Sequence, residues 1–136
     1  ATVANEVVLG NASITHWRSG SDEVCDLGTS TNRFKDVYAV NGTIQTSALA
    51  EKSAIVPTSL GLDFINALNP VQFEWKNQAD NLTHYGLILE EVQALGVEGI
   101  TREAGIAYSE LISPLIKAVQ QLTTRVQELE EQLSQN

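Results

Sequence analysis

Few residues in this 136-residue chain are placed for chemistry. The single cysteine, Cys25, and the two histidines, His16 and His84, show none of the spacings of a zinc site. One cysteine also leaves no intrachain disulfide framework. The glycines are scattered and form no phosphate cradle, and no Ser-His-Asp order is visible. Carboxylates are more abundant. Glu90-Glu91 reads as a helix start that complements the helix dipole, and Glu128 to Glu131 as a solvated helix face. Nothing marks a carboxylate pair for glycoside hydrolysis. What is left is a hydroxyl and an amine, Ser47 and Lys52, five residues apart. A serine hydroxyl can attack a peptide carbonyl when a base takes its proton. A lysine is such a base only when desolvation lowers its pKa. By type and spacing alone, the two are ordinary polar loop residues.

The elements around them have to come from a short chain. Its length fits one domain, or one small domain with an appended element, and a core this small buries a modest fraction of its surface alone. A net charge of −9 argues against nucleic acid and anionic membranes as partners, since both need a basic surface. No run approaches the roughly 18 apolar residues of a membrane span, and no secretory signal opens the chain. The first residue is Ala1 rather than Met, which predicts a fragment of a longer protein.

Residues 1–46 read as β structure. Val7-Val8-Leu9 and Ser13-Ile14-Thr15 are short strand-like runs, and Val37 to Val40 meets Thr43 to Thr46 across Asn41-Gly42, a strong hairpin signal. This Gly-, Asn-, Ser- and Thr-rich stretch resembles the end of a fibrous β structure more than a compact domain. Beyond Ala48 to Val56, Pro57-Thr58-Ser59 predicts a helix start capped by Thr58 or Ser59, with Leu60, Phe64, Ile65 and Leu68 on one face. Asn69-Pro70 stops it. Val71 to Trp75 and His84 to Ile88 predict strands, and Glu90 to Leu95 a short helix. A hairpin is expected with Ile100-Thr101 and Ile106 to Tyr108 as its arms.

The last segment is the clearest. Tyr108, Ile112, Leu115, Val119, Leu122, Val126, Leu129 and Leu133 are spaced 4, 3, 4, 3, 4, 3, 4. That is a heptad pattern, with Ile112, Val119, Val126 and Leu133 at position a and Tyr108, Leu115, Leu122 and Leu129 at d. It predicts a helix over about 109–135, with Pro114 tolerated in its first turn. Arg125 at g and Glu130 at the following e are placed for an interhelical ion pair. Val at a with Leu at d leans towards two strands. Ile116 and Ala118 widen the stripe, which suits three strands or packing on the body of the domain.

Several blocks share a further likeness. Leu27 to Ser47 (LGTSTNRFKDVYAVNGTIQTS) resembles the junction that precedes the endosialidase-type intramolecular chaperones of bacteriophage tail fibres and tailspikes. The likeness continues through Leu60 to Pro70, Phe73 to Lys76, His84 to Ile88 and Tyr108 to Ala118, in order to the chain end. The cleavage domain of the myelin regulatory factors is a distant relative. The resemblance implies an α+β fold. Residues 1–46 would be the C-terminal end of the β-structured fibre, contributing short strands. Residues 47–136 would be the chaperone, a small mixed α/β core whose long C-terminal helix forms a trimeric coiled coil. The seam would be Ile112, Leu115, Val119, Leu122, Val126, Leu129 and Leu133.

The implied partners are two further copies of the chain and the fibre upstream of each, with no nucleic acid, membrane or cofactor. The implied location is the host cytoplasm during virion assembly, then the virion tail for the fibre, with the chaperone released. Such chaperones cut themselves free once, with a Ser-Lys dyad. The family pattern Ser-Asp-x-Arg-x-Lys puts the nucleophile at Ser47 and the base at Lys52, and the attacked carbonyl is that of Thr46. The chain departs from that pattern at Ala48, where the family has Asp, at Ala50, where it has Arg, and at Ala54, where an acidic residue is common. Charged hydrogen bonds that would orient the site are thereby lost, so self-cleavage is expected to be impaired. The alternatives are a permanent trimerisation module that never cuts and a receptor-binding fibre tip.

Overall fold

The computed structural model describes residues 7–22, 24–29, 31–41, 48–76, 82–103 and 105–135. The chain divides into two units, Ala1–Ala39 and Val40–Asn136. The expected junction between Thr46 and Ser47, and the strand expected at Thr43 to Thr46, lie outside the described residues.

In the first unit the chain closes turns on itself. Asn11 Oδ1 accepts the Ser13 N–H at 2.9 Å, and the Asn11 carbonyl accepts the Ile14 N–H at 3.1 Å. Thr29 and Asn32 make a second turn, in which Asn32 N–H donates to Thr29 Oγ1 at 2.9 Å and Thr29 N–H to the Asn32 carbonyl at 3.1 Å. The strands expected at Val7 to Leu9, Ser13 to Thr15 and Val37 to Val40 are absent from the described residues of 7–41. The physical reason is that a strand exists only beside a partner. β-propensity measures packing on a neighbour, and an isolated short hairpin is marginal in water.

The second unit is mixed α and β. A 3-10 turn at Leu49–Glu51 precedes α1 (Leu62–Ala67), β1 (Val71–Phe73), β2 (His84–Gly86), α2 (Leu89–Ala94), β3 (Thr101–Arg102) and β4 (Gly105–Ile106). A second 3-10 turn, Tyr108–Leu111, leads into α3 (Ile112–Ser134). β1 and β2 pair antiparallel with Gln72 opposite Tyr85, and β3 and β4 with Thr101 opposite Ile106. On the β1–β2 sheet, His84 stacks on Phe73 with ring centroids 5.6 Å apart, and Trp75 meets Phe73 edge-on at 5.0 Å. Val92, Ile100 and Leu111 form a small core, flanked by Leu60, Phe64, Leu68, Leu87, Val97 and Ile106.

The helix before Pro70 starts later than Pro57-Thr58-Ser59 implies. Thr58 Oγ1 does accept a backbone N–H, that of Leu60, at 3.1 Å, but the helix begins at Leu62. Its first-turn donor is satisfied from far along the chain, where Gln121 Oε1 on α3 accepts the Leu62 N–H at 2.7 Å. A helix start leaves several N–H groups without intrahelical acceptors, and here a side chain from another helix supplies one. Gly61 makes this possible. It is buried, and a Cβ there would run into the Gln121 amide.

α3 is three residues shorter at its start than the heptad pattern implies. Tyr108, assigned position d, lies in the 3-10 turn ahead of it. Pro114 accounts for this, since its ring excludes the carbonyl four residues back from a regular α-helical turn. The Tyr108 hydroxyl instead accepts the Leu87 N–H at 2.9 Å. Glu90 and Glu91 occupy the first turn of α2, where carboxylates complement the helix dipole. No helix among the described residues is long and apolar enough to cross a membrane.

Candidate functional site

The candidate site lies on the arm that runs from Ala48 to Ser59. Ser47 and Thr46 fall outside the described residues, so the structure places the base side of the expected pair and not the nucleophile. Ala48 is extended, with φ −63° and ψ 139°, and so is Lys52, with φ −118° and ψ 144°. Between them the chain makes one tight turn. The Ala48 carbonyl accepts the Glu51 N–H and the Leu49 carbonyl accepts the Lys52 N–H, both at 3.2 Å. The spacing from Ala48 to Lys52 is thus taken up by a folded turn rather than by open loop.

No residue from Ala48 to Val56 is buried, Lys52 included. Leu49, Ile55 and Val56 are exposed by 74%, 62% and 76%. An apolar arm held in water is a costly arrangement. Each large aliphatic side chain gains roughly 1.5–3 kcal/mol when fully covered.

The structure also singles out Ala54, whose backbone sits at φ +49°. Among residues with a Cβ, Asn and Asp are the types most enriched in that left-handed region. An aspartate at this position, the acidic residue with which the resemblance is complete, would hold the bend with less strain than alanine does. The conformational demand has no signature in spacing or hydrophobicity, which is why sequence reasoning registers Ala54 only through the resemblance.

α3 carries two stripes with different fates. Pro114 and Ala118 are buried, as is Leu111 in the turn just ahead of the helix, and Gln121 continues this side of α3 towards α1. The heptad residues are exposed: Ile112 by 57%, Val119 by 61% and Leu122 by 47%, with Leu115, Val126, Leu129 and Leu133 exposed likewise. Ala118 therefore belongs to the body-packing stripe, while Ile116 stays exposed beside the heptad seam. Arg125 pairs along its own helix with Glu128 at 3.3 Å. Among the described residues no cluster of His, Cys, Asp or Glu could hold a metal ion, and Cys25 is exposed.

Residues 47–101 match the model of a peptidase family described as chaperone of endosialidase. The matched segment spans the arm, α1, the β1–β2 sheet, α2 and the start of the second hairpin. No curated protein matches the chain.

Proposed function

Taking residues 47–101 as an endosialidase-type chaperone domain, we propose that the chain trimerises through α3, folds a β-structured fibre ahead of it, and is released by one Ser47–Lys52 cut. The observation that supports this best is the fate of the two stripes of α3. The stripe that can pack on the body already does, yet among the described residues the unbroken a/d seam from Ile112 to Leu133 stays exposed. A two-turn apolar seam could be incidental surface. One that keeps heptad register to the end of a 23-residue helix is what a helical partner requires.

Exposure of Lys52 in the single chain supports the coupling of cleavage to assembly. An amine in water is a poor general base, and burial against neighbouring chains would disfavour its charged form. Ser47 would then attack the Thr46 carbonyl. Lys52 takes the serine proton and passes it to the leaving Ser47 nitrogen, so that the Thr46–Ser47 C–N bond breaks and leaves a Thr46 ester on Ser47 Oγ, which water then hydrolyses. Ala48 and Ala50 put this chain at the slow end, because the Asp and Arg side chains that the resemblance implies beside the nucleophile are replaced by methyl groups.

Mass spectrometry of freshly expressed chain gives the cut site and the uncut fraction together. Restoring Ala48→Asp with Ala50→Arg should raise the cut fraction, with a new N-terminus at Ser47. Adding Ser47→Ala to the restored chain should abolish it. A restored chain that trimerises and stays whole would favour a permanent trimerisation module. A restored chain that cuts while held monomeric would overturn the coupling.

A further inference from the structure

Among the described residues, Ala54 is the one non-glycine residue with positive φ. It lies two residues after Lys52, at a bend, with its side chain in solvent. Packing of the methyl group therefore does not impose the conformation. Alanine disfavours the left-handed region by roughly 5- to 30-fold, so something on either side must hold it there.

Both sides are fastened. Upstream, the two 3.2 Å backbone bonds close the turn that ends at Lys52. Downstream, Thr58 Oγ1 holds the Leu60 N–H, and Gln121 on α3 holds the Leu62 N–H behind the buried Gly61. The residues between are stiff. Ile55 and Val56 are β-branched, which restricts their side chains and favours extended chain. Pro57 has a fixed φ and pushes Val56 towards an extended conformation. The stiff run from 55 to 57 is entered through a bend, and Ala54 makes it.

We infer that residue 54 is a positioning residue for self-cleavage: its left-handed backbone aims the Ala48–Lys52 turn away from the anchored stem and so sets where the Lys52 amine is delivered. The inference rests on the Ser47–Lys52 reading and adds a requirement on backbone rather than on side-chain chemistry. Residue types that tolerate positive φ should serve at 54, and a β-branched type should not.

The test uses the full chain with Ala48→Asp and Ala50→Arg restored, carrying Ala54→Asn, Ala54→Gly or Ala54→Val. Cleavage rate is followed by mass spectrometry, with Tm and sedimentation measured on the same variants made uncleavable by Ser47→Ala. The Asn and Gly variants should cut at least as fast as the alanine chain, and the Val variant should cut about ten-fold slower or worse. Oligomeric state should stay the same across the series and Tm should move by only a few degrees, because the side chain is exposed. Fast cutting by the Gly variant is the decisive rescue, since glycine supplies the conformation and no side chain at all. A Val variant as fast as Asn, or a loss of cleavage that tracks a loss of Tm, overturns the inference while Ser47 remains necessary. A restored chain that does not cut, or that cuts without Ser47, overturns the Ser-Lys reading and this role with it.

Discussion

In the arm from Ala48 to Ser59, Leu49, Ile55 and Val56 stand in solvent, whereas from Leu60 to Leu111 Val92, Ile100 and Leu111 are 2%, 3% and 7% exposed. The two stretches are neighbours in the chain and both are furnished with aliphatic residues. They differ in whether the chain supplies its own cover. The body closes its core with elements within about fifty residues of each other. The arm, which carries Lys52, finds no cover among them, and neither does the a/d seam of α3. The parts that make a folded unit are thus complete in one chain. The parts assigned to cleavage and assembly are those left open.

The largest expected effect is on the seam. Leu122→Asp puts a charge at the middle of the a/d stripe, where assembly would bury it and desolvating it would cost several kcal/mol. Sedimentation should show monomers, with the circular dichroism of the body retained. An unchanged oligomer would mean that α3 is not the assembly surface. The monomeric variant is then the host for the arm-and-body comparison itself. There, Ile100→Ala should cost about 2–5 kcal/mol, the loss of buried surface plus the cavity left behind. Ile55→Ala should change stability by less than about 0.5 kcal/mol, as exposed substitutions do. Chemical denaturation measures both. If Ile55→Ala proved as damaging as Ile100→Ala, the arm would be packed in solution and the contrast would fail.

The heptads of α3 were legible because the signal is a period repeated along one element, and packing on a partner or on the body both preserve it. The β3–β4 hairpin and the strands before and after the 76–83 loop were legible for a similar local reason. What escaped was non-local. Thr58 and Ser59 look like caps of α1, yet Gln121, 59 residues further on, supplies the acceptor for Leu62. Strand-like runs such as Val7 to Leu9 carry the right residues and pair with no strand among the described residues. Of the site, Ser47 and Lys52 were visible only by resemblance, and the backbone at Ala54 is a geometric fact with no pattern in residue type.

The Gln121 contact gives an effect of intermediate size. Gln121→Ala removes the acceptor at the α1 start and should cost about 1 kcal/mol. Gly61→Ala should cost a similar amount by another route, since the new methyl group displaces the same amide. Because each change destroys one shared contact, the double variant should cost little more than either alone. Thermal or denaturant unfolding of the four chains measures that coupling. Fully additive losses would show that Gly61 matters for reasons of its own.

The smallest effect separates what α3 does alone from what it does in company. Within the single chain Arg125 pairs with Glu128, three residues on, with side chains 64% and 52% exposed. Such a pair contributes about 0.2–0.5 kcal/mol and is screened by salt. Glu128→Gln should therefore lower the stability of the monomeric Leu122→Asp host by a few tenths of a kcal/mol, and Glu130→Gln should leave that host unchanged. In the assembled chain the order can reverse, because the heptad register sets Arg125 at g against Glu130 at e of a second copy. A pair of that kind would be worth about 0.2–1 kcal/mol. Melting both charge variants in both backgrounds, at low and high salt, resolves the two partners. Sensitivity to Glu130 that appears only on assembly, and fades with salt, would mean the arginine changes partner when the seam is covered. Equal sensitivity in both backgrounds would mean that the seam has another register.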